Sequence, residues 1–76
     1  MMGKKHHKMI VACMNSAGAP EFHTCAPLVT EEEIQAGEHY EAAKENARFN
    51  GYEEPMIAFD ASDPAWKQMA DLVAWQ

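Results

Sequence analysis

Along the chain, apolar and polar residues fall into blocks, and the densest block is Met9-Ile10-Val11-Ala12-Cys13-Met14. It has strand length, and neither alternating face carries a polar residue, the pattern of a strand that wants cover on both sides. The next residues, Asn15-Ser16-Ala17-Gly18, fit a type I turn closed by a glycine at positive φ, which predicts a hairpin with a three-residue loop of Ser16, Ala17 and Gly18. That register sets Asn15 opposite Ala19, Cys13 opposite Glu21 and Ala12 opposite Phe22. Alternation then puts Ile10, Ala12, Met14, Phe22 and Ala26 on the face expected to receive the helices. Met9, Val11, Cys13, Glu21, His23 and Cys25 share the other face, expected to stay partly open. Pro20 and Pro27 cannot donate ladder hydrogen bonds, so the second strand belongs at an edge. Pro55 likewise opens a third strand, Met56-Ile57-Ala58-Phe59, at the opposite edge.

Two helical regions are marked by their caps. Thr30 followed by Glu31, Glu32 and Glu33 is a capping box. Gly37 can end a short first helix before a second piece, Glu38 to Asn50, in which Tyr40, Ala43 and Ala47 form a narrow small-residue stripe able to lie close to a sheet. Asn50-Gly51 stops it. The last helix starts from Asp63 as cap and Pro64 at the first helical position, with Trp66, Met69, Ala70 and Val73 as its buried stripe and Trp75 expected to fold back on the domain. The expectation is a single α+β domain over residues 8–76, two-layered and of order ββαβα. Its antiparallel three-stranded sheet has order 2-1-3 and both helices on one face, and residues 1–7 form a flexible basic tail.

Length and charge narrow the function. A chain of 76 residues makes one domain and buries only about 60% of the surface its unfolded form exposes. The formal charge of −6 conceals an asymmetry: Lys4, Lys5 and Lys8 precede an otherwise acidic chain. That balance disfavours nucleic acid and anionic membrane as partners, because both require a basic surface. The apolar run at residues 9–14 is shorter than a secretory core of about 7–15 residues, so it reads as a strand rather than a signal. Cys13 and Cys25 are too few for a disulfide scaffold, and a reducing, cytoplasmic setting is expected for them.

Candidate chemistry is sparse. Cys13, His23, Cys25 and His39 have the residue types of a zinc site, but in the hairpin register Cys13 and Cys25 lie far apart along neighbouring strands, so no metal and no cofactor are expected. Cys25 with His23 or His39 as base lacks both the geometry and an oxyanion loop, so no catalytic residue is assigned. His6-His7 reads as tail. No phosphate-binding loop, metalloprotease pair or small-molecule motif is present in the sequence.

The stretches Gly37-Glu38-His39-Tyr40-Glu41-Ala42-Ala43 and Gly51-Tyr52-Glu53-Glu54-Pro55-Met56-Ile57-Ala58-Phe59-Asp60 resemble segments of small proteins encoded by tailed phages and prophages of bacteria. The turn Asn15-Ser16-Ala17-Gly18-Ala19-Pro20 with Phe22 is similar too. The resemblance covers about half the chain and implies a bacterial or phage origin and an accessory role such as modulation of a host factor. It brings no active-site residues.

The leading expectation is therefore a small non-enzymatic protein that works by contact through the open sheet face around Met9, Val11, Cys13, His23 and Met56, with another protein or a second copy of itself. The alternative is an acidic inhibitor that occupies a basic or nucleic-acid-binding host protein through Glu31, Glu32, Glu33, Glu38, Glu41 and Glu45.

Overall fold

The computed structural model describes residues 3–74, and of residues 71–74 the backbone alone. The chain runs β1 (Lys5–His6), β2 (Met9–Met14), β3 (Pro20–Cys25), β4 (Leu28–Val29), α1 (Glu31–Gln35), α2 (Glu38–Phe49), β5 (Glu53–Asp60) and α3 (Ala65–Ala74). It is an α+β domain in which β2 lies between β3 and β5, antiparallel to both. No helix among the described residues is long and apolar enough to cross a membrane.

Local chemistry accounts for the elements. The hairpin joins β2 to β3 with Ala12 opposite Phe22 and Cys13 opposite Glu21. Asn15 ties its loop together, since its Oδ1 accepts from Ala17 N at 2.9 Å and Ala19 N at 3.0 Å while Gly18 sits at φ 79°. The capping box at Thr30 is complete: Thr30 Oγ1 accepts from Glu33 N and Glu33 Oε1 accepts from Thr30 N, each at 3.1 Å. Gly37, at φ 79°, separates α1 from α2. Asp63 Oδ1 accepts from Ala65 N at 2.9 Å at the start of α3. β5 is longer than Met56 to Phe59, and a register shift against β2 between Ala12 and Met14 absorbs Pro55.

Several expectations are corrected. Residues 5–7 are not a free tail: β1 pairs with β4, Lys5 forms an ion pair with Glu31, and His7 N donates to Pro27 O at 3.2 Å. These two short strands make the order ββββααβα. The faces of the sheet are exchanged as well. α2 covers the side holding Met9, Val11 and Cys13, so Met9 and Val11 are fully buried with Ala43, Ala47 and Ala58, and Met56, Cys25 and Tyr52 pack at the margin. The small stripe of α2 is His39, Ala43 and Ala47, while Tyr40 is exposed. Alternation decides which residues share a face but not which face receives a helix, and here both faces are apolar. The helices are also not on one side. α3 lies across the opposite face, with the Trp66 ring 6.4 Å from Phe22 and Trp66 Nε1 donating to Ala61 O at 3.1 Å. Val73 and Trp75 lie outside the residues whose side chains are described.

The buried seam yields a direct test. A carboxylate at Val11 would be desolvated against Ala43 and Ala47 with no partner, at a cost of several kcal/mol, comparable to the ~5 kcal/mol that holds a small domain together. Val11→Asp is expected to abolish cooperative unfolding in urea and collapse the circular dichroism signal; a variant that keeps the wild-type midpoint contradicts the burial.

Candidate functional site

The side of the sheet facing away from α2 is only partly covered. There Ala12, Met14 and Phe22 of the hairpin, Pro55 and Ile57 of β5 and Met69 of α3 enclose a cleft of about 160 Å³. Ile57 stays 48% exposed although it pairs with Ala12 in mid-sheet. The reason is supply: among the described residues α3 is the one helix on this side, and Trp66 and Met69 reach Phe22, Ala61 and one wall of the cleft. A cleft of this volume is below the roughly 300–1,000 Å³ of sites that enclose metabolites, and it matches a single inserted apolar side chain.

The residues expected on an open face, Met9, Val11, Cys13, His23 and Met56, lie instead beneath or beside α2. Met9 and Val11 have no exposed surface, and half-buried His23 is engaged through Nε2 with Asn46 Oδ1 at 2.9 Å. The six glutamates of the alternative reading are exposed or half-buried along α1 and α2, and Glu31, Glu33 and Glu41 are tied to Lys5, Thr30 and Lys44. A row of free carboxylates imitating phosphates is therefore interrupted at three places.

At the other end of the sheet three elements converge on Asp60. His7 precedes β2, His39 opens α2, and Asp60 ends β5, where it comes opposite Met9. His7 Nε2 contacts Asp60 Oδ1, His39 Nε2 lies 3.4 Å from Asp60 Oδ2, and Tyr40 donates its hydroxyl to Asp60 Oδ2 at 3.0 Å. Burial works against the carboxylate charge, but the hydrogen bonds from His7, Tyr40 and His39 outweigh it and hold Asp60 below the ordinary aspartate range. An ionised carboxylate only accepts, so each Nε2 facing it carries the proton. Buried His39 is left with Nδ1 unpartnered among the described residues. Sequence reasoning considered His39, set His7 aside as tail and passed over Asp60. The signals were there: His39 falls four residues before Ala43 on the buried stripe, and Asp60 is an acid closing an apolar strand.

The chain matches no protein family, no curated protein and no solved structure in searches of each.

Both cysteines are free. Burial pushes both thiols above their ordinary value of 9.0, and the Cys13 thiol donates to the Val11 and Glu21 backbone carbonyls. Their thiolate population therefore rises about tenfold per pH unit between roughly pH 7 and pH 9 without levelling off. Labelling of the native protein with Ellman's reagent is expected to follow that slope, with Cys13, 4% exposed, slower than Cys25; a plateau below pH 8 would reveal an activated thiol.

Proposed function

We propose that this chain is a small non-enzymatic accessory protein that works by contact with another protein through the partly open side of its sheet, around Met14, Phe22, Pro55, Ile57 and Met69. The observation that carries this reading is the exposure of Ile57 over an apolar cleft of side-chain size. The occupant that fits is a segment with one apolar side chain flanked by Lys or Arg. Glu53 stands opposite Met14 at the end of the cleft, and the whole chain carries a charge of −6. The same charge opposes a second copy of the chain as occupant. Two free thiols fit a reducing cytoplasm, and the resemblance of residues 37–43 and 51–60 to phage and prophage proteins supports a bacterial or phage setting and a host protein as target.

The test is an array of short peptides, each with Leu, Met or Phe between basic residues, probed with the full chain. Binding is expected for these and not for purely basic peptides. It should weaken severalfold between low and physiological salt without vanishing, and it should be lost in Ile57→Asp, which keeps its circular dichroism spectrum because this position is half exposed. Equal binding by Ile57→Asp and wild type sinks the proposal, and a dimer in light scattering at high concentration reassigns the face to self-association.

A further inference from the structure

We propose that His7, His39 and Asp60 form a binding site for one divalent transition-metal ion, with Zn²⁺ as its representative. The three side chains come from three separate elements, and one donor atom from each lies within 4.8 Å of the others. A tetrahedral ion with bonds of about 2.0–2.2 Å to nitrogen and carboxylate oxygen wants donors about 3.3–3.5 Å apart. The 3.4 Å between His39 Nε2 and Asp60 Oδ2 already has that value, and rotation of the more exposed His7 ring supplies the remaining adjustment.

Burial is graded across the cluster. The His39 side chain is 6% exposed and forms the back wall, while His7 at 30% and Asp60 at 25% leave an access route from solvent. The fold alone compensates His39 poorly. Its ring is buried with Nδ1 unpartnered and with Nε2 making only that 3.4 Å contact to Asp60, a weak return for desolvating an imidazole. Because nothing is bonded to Nδ1, the ring proton can shift there and free the Nε2 lone pair for a cation, giving up only the long 3.4 Å contact to Asp60. Two imidazoles and one carboxylate select borderline ions such as Zn²⁺ over Mg²⁺ and Ca²⁺, which favour all-oxygen shells. Tyr40, whose hydroxyl donates to Asp60 Oδ2 at 3.0 Å, serves as the outer partner that orients the carboxylate. Water takes the fourth position. Such an ion would clamp the segment before β2, the start of α2 and the end of β5 together, and so would couple the stability of the domain to metal supply.

Equilibrium dialysis of the reduced, chelator-stripped full chain against Zn²⁺ is expected to give one saturable equivalent and a raised unfolding midpoint that a chelator reverses. Asp60→Asn should lower the affinity at least a hundredfold and His7→Ala at least tenfold, while His6→Ala leaves it unchanged. In wild-type protein the ring resonances of His7 and His39 should shift together on titration while those of His23, held by Asn46, stay in place. This last measurement decides the matter even if a variant fails to fold. No saturable uptake, uptake undiminished in Asp60→Asn, shifts confined to His6 and His7, or loss of binding in a variant with Cys13 and Cys25 both replaced by Ser that keeps the wild-type circular dichroism spectrum would each overturn the site.

Discussion

The dry seam between α2 and the central strand is the contact on which the rest of the structure depends. Ala43 and Ala47 present so little side chain that the helix settles directly on Met9, Val11 and Cys13, and all five are buried or nearly so. The position of α2 then determines where its first turn brings His39 and where Tyr52 and β5 leave its far end. It also places the largest cluster of buried residues, Met9, Val11, Cys13, Ala43, Ala47 and Ala58, on one side of the sheet. What remains for the other side is a ten-residue helix, which is why the Ile57 surface is left open.

The sheet consequently has two dissimilar ends. At one, Met9 is paired with Asp60 and Cys25, and the nearby polar groups are gathered around a single carboxylate. At the other, Met14 faces Pro20 and Glu53, and the surface is apolar with an acidic border. The length of β2 places these ends about 17 Å apart at the usual rise per residue. The two ends can therefore serve separate purposes.

Asp60 illustrates how a small domain uses one polar residue at a junction. Its carboxylate is reached by His7 from a residue separation of 53 and by His39 from a separation of 21, so three distant parts of the chain are tied at one point. Besides that tie, the segment before β2 is held by the two-residue pairing of β1 with β4, the Lys5 to Glu31 ion pair, the hydrogen bonds of His6 and His7 to the Ala26 and Pro27 carbonyls, the bond from Ala61 N to Lys8 O and the edge-on packing of the His7 and His39 rings, and an exposed ion pair contributes little in water.

Whatever depends on neighbours within a few residues was determined by the sequence itself. The hairpin register follows from Asn15 and Gly18, the start of α1 from Thr30 and Glu33, the break before α2 from Gly37 and the start of α3 from Asp63, because each rests on a local hydrogen bond or an allowed φ. The choice of which sheet face α2 covers was decided only in three dimensions. Both faces of Met9 to Met14 are apolar, so burial alone does not rank them; the match between a flat alanine stripe and the Met9, Val11 and Cys13 face, together with the His23 to Asn46 hydrogen bond, does. The anchoring of residues 5–7 and the meeting of His7, His39 and Asp60 were likewise decided by tertiary structure, since ligand-like proximity across dozens of residues exists only once the strands and helix have packed.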